Sequence, residues 1–302
     1  MKKIITYTIL LIMIIMVFIY RKDITNYVTN NIIKQEIKEE LKFNEYSKKT
    51  NYEYVQITND LTVNKKEEIK NIFYTILDSG VKSFSFYCDT EYKECDNDIK
   101  TFFNDKDILS NINNFVHPYN SFKNIRISVT NYGKITLDIS HLYNQDEITI
   151  INDQIDTFIK ENINDTMSTN DKIKVFHDYI INNTKFDTAI ENSLDRLNSS
   201  SYTAYGLLID HLAICGGYTD TMAIYLNKLN IKNYRISTTE HVWNLVNLDN
   251  SWLNLDVTWD DPVTSDGSDM LMYDYYLIST SDMLNKDTTQ HNFNQDVYIE
   301  AK

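Results

Sequence analysis

Residues 212–229 read LAICGGYTDTMAIYLNKL, and this segment decides the fold of the C-terminal half of the chain. Apolar residues recur at helical spacing from residue 218 to about residue 229, which predicts a helix. Cys215 therefore lies at or just before a helix N-terminus, where the helix dipole and free backbone N–H groups favour a thiolate. The neighbouring Gly216 and Gly217 lack side chains and would let a substrate backbone approach the sulfur. This pattern is typical of a nucleophilic cysteine, although a small buried cysteine at a helix start would look the same.

Three strands are predicted downstream of this helix, at residues 234–238, 241–248 and 251–258. A tight turn at Asp249-Asn250 would place Trp243 opposite Asp256, so that His241 and Asp256 become diagonal neighbours on one sheet face. A register slip of one residue would separate the two onto opposite faces. The other face would carry an apolar set fit for a core, interrupted by Asn244: Val242, Val246, Leu248, Leu253, Leu255 and Val257.

These placements give each polar residue a chemical role. His241 would take the thiol proton of Cys215 and return it to a leaving amine, and Asp256 would orient the imidazole through its other nitrogen. The backbone N–H of Cys215 is a natural donor to an oxyanion. Tyr202 and Trp243 are candidates for a second donor or for contacts with substrate.

Four ordered blocks of sequence resemble the transglutaminase-like superfamily and, more narrowly, its bacterial surface members, across roughly residues 170 to 280. The blocks are Ala204-Tyr205-Gly206-Leu207-Leu208, Ile214-Cys215-Gly216-Gly217-Tyr218, His241-Val242-Trp243-Asn244 and Trp252-Leu253-Asn254-Leu255-Asp256-Val257-Thr258-Trp259-Asp260-Asp261-Pro262. The resemblance implies an α+β, papain-like transglutaminase core, in which a helix carrying Cys215 packs on an antiparallel sheet carrying His241 and Asp256. It also implies a Cys-His-Asp triad that transfers acyl groups through a thioester and requires no cofactor or metal.

The amino terminus has the pattern of a signal anchor. Residues 4–20 are almost entirely apolar and are flanked by lysine and arginine, which predicts a single transmembrane helix within residues 1–22 with the remaining chain extracytoplasmic. A cleaved signal peptide is the competing interpretation, but no A-x-A-like small residues follow the run. Residues 23–49 are charged and predict a stalk.

Residues 50–145 predict a small α+β domain, and residues 146–302 the catalytic domain. In the first, strands are expected at residues 52–58 and 83–88, a helix at 65–77, and a hairpin of residues 122–130 and 134–141. In the second, amphipathic helices are expected at residues 146–163 and 170–182, then a long polar loop at 184–201 and a helix at 203–211.

Composition limits the partners. The chain has 302 residues with a formal net charge of −14, and an acidic body without a basic patch argues against nucleic-acid binding. Cys88 and Cys95 could close a small loop in an oxidising compartment, or stay unpaired. The acidic residues Asp260, Asp261, Asp266 and Asp269 fit no EF-hand spacing and indicate a solvated turn rather than a calcium loop.

The expected substrate is a protein or a cell-wall peptide, attacked at a peptide or glutamine amide. Amine attack on the thioester would cross-link, whereas water would hydrolyse, and the sequence leaves both open along with the oligomeric state. A non-catalytic surface module that uses the same fold to bind partners is the alternative. A metal hydrolase built on His177, His211 and His241 lacks any recognised ligand spacing.

Overall fold

The computed structural model describes residues 2–28, 40–130, 133–263 and 270–302. At the amino terminus, helix α1 (Lys2–Ile19) is followed by α2 (Arg21–Val28). The large apolar side chains of α1 from Ile5 onward are exposed. Within the described ranges, no helix combines the length and the apolar character that crossing a membrane requires. Residues 29–39 of the predicted stalk lie outside the described residues.

Residues 62–141 form a four-stranded sheet covered by helices. The spatial order of the strands is β1 (Thr62–Val63), β2 (Ser83–Cys88), β4 (Lys134–His141) and β3 (Phe122–Val129). Strands β2, β4 and β3 pair antiparallel, whereas β1 runs parallel to β2. The helices are α3 (Lys66–Ser79), α4 (Cys95–Asn104) and α5 (Lys106–Phe115). The predicted helix at 65–77 and the predicted strands at 83–88, 122–130 and 134–141 are therefore confirmed, while residues 131 and 132 of the hairpin turn lie outside the described residues.

One expectation in this region is wrong, and two helices carry no prediction. The predicted strand at residues 52–58 is irregular, because its backbone N–H groups bond to side chains instead of a neighbouring strand: Gln56 to Asn71 and Ile57 to Asn51. Helices α4 and α5 were not predicted at all. The first begins at Cys95, which is disulfide-bonded to Cys88, and the side chain of Asp105 caps the second. Of the two alternatives left open for Cys88 and Cys95, a disulfide that closes a small loop or two unpaired thiols, the structure has the disulfide.

The C-terminal half begins with two helices that open on capping boxes, α6 (Gln145–Asn162) and α7 (Thr169–Asn183). The predicted long loop contains the short β5 (Lys185–Phe186) and α8 (Thr188–Glu191), and the predicted helix at 203–211 is a π-helical turn at Gly206–Asp210. The remaining elements are β6 (Leu212–Ala213), α9 (Cys215–Lys228), β7 (Asn233–Ser237), β8 (Val242–Leu248), β9 (Ser251–Leu255) and α10 (Thr280–Lys286).

Strands β7, β8 and β9 form an antiparallel sheet with α9 packed against it. Asn244 lies opposite Leu255 and Leu248 opposite Ser251, which confirms the predicted register for the paired residues. The strand predicted to continue to residue 258 is wrong at its end, because β9 ends at Leu255 and a turn follows, so Asp256 is not paired opposite Trp243. Asp249 and Asn250 both have left-handed φ values, 50° and 66°, as a two-residue hairpin turn between twisted strands requires.

Both faces of this sheet are buried, not only the predicted one. Val246, Leu255 and Val257 pack with α6, α7 and α9. On the opposite face, Trp243 and Leu245 join a core that also contains residues of α3 and α5. Side chains from both sides of the predicted domain boundary near residue 146 thus share one core, and the division into two domains stays a prediction.

Candidate active site

Cys215 is the first residue of α9, as predicted. Ile214 precedes it in extended conformation, and its backbone N–H donates to the carbonyl of Ser201 at 2.8 Å, which holds the start of the helix in place. Cys215 is half-buried, carries a free thiol and lines a cavity of about 600 Å³. The sulfur is therefore at a helix N-terminus and open to a cavity large enough for a peptide side chain.

His241 and Asp256 face each other just outside the paired strands. His241 Nε2 lies 2.5 Å from Asp256 Oδ2, and both side chains are buried. Asp256 Oδ1 accepts from the backbone N–H groups of Thr258 and Trp259, at 3.1 and 3.2 Å. The turn that follows β9 thus fixes the orientation of the carboxylate.

Cys215 and His241 line the same cavity, and the sulfur is close enough to raise the pKa of the imidazole. Because Asp256 occupies Nε2, Nδ1 is the imidazole nitrogen left for the sulfur. Burial, the largest influence, lowers the pKa of His241, but Asp256 and then Cys215 oppose it and raise this pKa to about 10. Burial raises the pKa of Asp256, yet His241 and His291 lower it to about 2. At neutral pH the arrangement therefore holds an imidazolium between a carboxylate and a sulfur.

Two contacts attach the helix that carries Cys215 to the strand that follows His241. Asn244, for which the strand pattern offers no role, donates its amide to the carbonyl of Thr219 at 3.0 Å. The Thr219 hydroxyl donates in turn to the carbonyl of Val242 at 2.9 Å. Asn244, the polar residue in the apolar face of β8, thus hydrogen-bonds the sheet to the helix.

A buried ion pair ties the same helix to β7. Arg235 lies 2.7 Å from Asp220, which also accepts from the hydroxyl of Tyr143 at 2.8 Å. The guanidinium further donates to the Ser121 hydroxyl and to the carbonyl of Asn113. These contacts join α9 and β7 to α5 and the segment after it, and both members of the ion pair line the cavity.

Gly216 and Gly217 have a packing role that the sequence did not indicate. A Cβ on Gly216 would lie 2.8 Å from the ring of Tyr202, and one on Gly217 would lie 2.7 Å from the carbonyl oxygen of Ser201. Protein neighbours therefore require a glycine at both positions, and the predicted contact with substrate stays a prediction. Gly216 lines the cavity, whereas Gly217 is not among its lining residues.

Trp243 is wrongly predicted to contact substrate. Its ring is 1% exposed, and its indole N–H donates to Asn254 at 2.9 Å, so it has no donor for a ligand. Tyr202 and Trp259 do line the cavity beside Cys215. Burial, then Asp220 and Cys215, raise the pKa of Tyr202 to about 12, so its hydroxyl keeps a proton that it can donate.

Sequence reasoning missed His291. Its Nε2 lies 2.9 Å from the same Asp256 oxygen that faces His241, and it is completely buried. No local pattern in residues 287–291 marks it, because the contact depends on the packing of the C-terminal segment. His241, Asp256 and His291 offer one ligand atom each within 4.8 Å, a spacing that a metal ion could use. Hydrogen bonds already account for the closeness of these atoms.

The other metal candidates separate in the structure. His177 is buried against Asp260 and Asp178, at 3.1 and 3.0 Å, and His211 is exposed. In the part of the chain that is described, they join no group able to hold a metal. The solvated turn predicted for the acidic residues beyond the triad is wrong for Asp260 and Asp261, which are buried. Asp260 accepts from the Tyr275 N–H and Asp261 from the Tyr218 hydroxyl, while Asp266 and Asp269 lie outside the described residues.

No protein-family model and no curated protein matches the chain. Among solved structures, a protein described as a TGase is similar over 46% of this chain and 44% of its own, with 18% identity and a TM-score of 0.35. A candidate cysteine protease from Cytophaga hutchinsonii is similar over 49% of this chain and 65% of its own, with 12% identity and a TM-score of 0.28. Both names agree with the resemblance seen in the sequence. At these TM-scores neither likeness carries an argument about the chemistry of the site.

Proposed function

We propose that the protein is a thiol enzyme that transfers or hydrolyses acyl groups of peptide or glutamine amides through a thioester. One observation carries the proposal: His241 is hydrogen-bonded to Asp256 and, together with Cys215, lines one cavity. A nucleophile, a base and a residue that orients the base are the parts that such chemistry requires.

The first half-reaction forms the thioester. The sulfur of Cys215 attacks the carbonyl carbon of the amide, and the carbonyl π electrons move onto oxygen. The backbone N–H of Cys215 and the hydroxyl of Tyr202 stabilise this oxyanion. As the intermediate collapses, the C–N bond breaks and His241 gives its proton to the departing nitrogen. Ammonia or an amine leaves, and His241 becomes neutral.

The second half-reaction releases the acyl group. Neutral His241 takes a proton from water or from an acceptor amine, which attacks the thioester carbonyl. The C–S bond then breaks, and the sulfur leaves as the thiolate beside the newly charged imidazolium. Water gives a carboxylic acid, and an amine gives a new amide, so the products distinguish hydrolysis from cross-linking.

Incubation with a glutamine-containing peptide and a fluorescent primary amine tests the proposal. Labelled peptide indicates amine transfer, whereas ammonia or cleaved peptide without label indicates hydrolysis. Both should be lost in Cys215→Ala. If neither product forms above the Cys215→Ala background with peptide or cell-wall peptide substrates, the proposal is wrong.

We also propose that the enzyme works outside the cytoplasm, with the apolar amino-terminal run as its anchor. The Cys88–Cys95 disulfide supports this location, because disulfides persist mainly in oxidising compartments. Protease treatment of intact cells should remove the protein if its body is exposed. Complete protection until the cells are lysed would contradict an extracytoplasmic location.

A further inference from the structure

Asp256 serves two imidazoles through one oxygen. His241 Nε2 lies 2.5 Å from Oδ2 and His291 Nε2 lies 2.9 Å from the same atom. Because the backbone of Thr258 and Trp259 occupies Oδ1, the carboxylate has donors on both oxygens. His291 and His241 therefore share Asp256 as a hydrogen-bond partner.

A second carboxylate holds His291 from the far side. Its Nδ1 lies 2.9 Å from Asp287 Oδ2, in a loop that the same carboxylate organises by accepting from the backbone of Thr289 and Gln290. Burial raises the pKa of Asp287, but these hydrogen bonds outweigh it and lower that pKa below the usual range. With a carboxylate at each ring nitrogen, His291 satisfies both contacts only when both nitrogens carry a proton.

Aromatic rings pack closely around His291. Trp259 and Trp243 meet it edge to face, with centroids at 4.8 and 5.0 Å, and Tyr275 stacks on it at 5.1 Å. The buried ring of Trp243 therefore packs directly against His291. A side chain this constrained transmits its position to the group that it bonds.

We propose that His291 is a positioning residue that shares Asp256 with His241, fixing the carboxylate and limiting how tightly it holds the proton of His241. The proposal rests on the function proposed above, in which His241 must give that proton to the leaving nitrogen. A carboxylate with His241 as its only side-chain partner would hold the imidazolium more strongly, because a second donor no longer shares the same oxygen.

The titratable groups that lie near His241, Asp256 and His291 come from several elements. Cys215 faces His241 from α9, Asp287 faces His291 from the loop after α10, and Tyr275 stacks on His291. Asp260 interacts with Asp256 through charge. None of these is changed in the variants below.

Two substitutions at one position separate hydrogen bonding from packing. His291→Phe keeps an aromatic ring at this position and removes the donor to Asp256. His291→Gln loses the ring but keeps an amide donor that can reach the same oxygen. If His291 acts through Asp256, kcat falls about tenfold to a hundredfold in His291→Phe, with KM changed little, and His291→Gln recovers part of it. If the ring only fills space, the order of the two variants reverses.

The pH dependence of Cys215 alkylation by iodoacetamide provides a readout that needs no amide substrate. In the full-length protein, the alkaline inflection reports loss of the proton from His241. We expect it at higher pH in His291→Phe than in the wild type, with thermal unfolding used to select conditions in which both are folded. An unmoved inflection together with wild-type kcat in His291→Phe would overturn the proposal. If the inflection moves but no amide is turned over by the wild type, the positioning role stands and the proposed function fails.

Discussion

The side-chain amide of Asn244 lies 3.0 Å from the backbone carbonyl oxygen of Thr219 and donates a hydrogen bond to it. The contact joins the strand that follows His241 to the helix that begins at Cys215. It is buried, and the Thr219 hydroxyl returns a second bond to Val242. The distance between nucleophile and base is therefore set by contacts beyond the two residues themselves.

Asn244→Ala should destabilise the protein by about 1–3 kcal/mol, because it leaves a buried carbonyl without its side-chain donor. Urea unfolding measures the change. Asn247→Ala, at a half-buried position of the same strand, is the matched control and should cost less. Equal losses of stability in the two variants would contradict a specific contribution of the hydrogen bond between Asn244 and Thr219.

Arg235→Ala should be among the most damaging substitutions in the chain. It leaves Asp220 buried without its cation, a change that typically costs about 3–5 kcal/mol. Lys228→Ala removes the exposed pair with Asp156 and should cost less than about 1 kcal/mol. Denaturant titration of both variants provides the comparison, and a loss at Arg235 no larger than at Lys228 would contradict the structural role of the buried pair.

Tyr202→Phe tests the assigned oxyanion donor. Loss of one such donor typically lowers kcat about a hundredfold, and KM should change little because the bond strengthens only in the transition state. Steady-state kinetics on an amide substrate gives both constants. Tyr205→Phe is the control, since Tyr205 does not line the cavity. Unchanged kcat in Tyr202→Phe would remove the hydroxyl from the mechanism.

The ion pair of His241 should contribute stability that depends on pH. Its pKa is raised from 6.5 to about 10, so the contribution is fully present below pH 6.5 and is lost as pH rises through 10. The free energy of unfolding of the wild type should therefore approach that of His241→Ala between pH 7 and 10. A difference between the two proteins that stays constant over this range would show that His241 is not held as the cation.

Local sequence predicted the parts of the site that depend on neighbouring residues. The helix start near Cys215 follows from apolar spacing, and the register that brings His241 and Asp256 to the same end of the sheet follows from the two-residue turn at Asp249-Asn250. Each rests on one short stretch of chain. The periodicities of helix and strand are strong signals at that range.

The parts that local sequence could not predict depend on distant segments. His291 reaches Asp256 only because the C-terminal segment folds over the sheet, and the Gly216 contact depends on where Tyr202 lies. The second buried face of the sheet likewise requires α3 and α5. No periodicity within a strand indicates what packs against it from elsewhere in the chain.

The rate at which iodoacetamide alkylates Cys215 between pH 6 and 8, followed by mass spectrometry, tests whether Cys215 and His241 act as a pair. Cys215 is the free cysteine of the chain, so the modification is unambiguous. The thiolate paired with His241 should react at a nearly constant rate across this range, while the rate in His241→Ala should fall steeply as pH decreases. An inert Cys215, or the same steep dependence on pH in both proteins, would contradict the account.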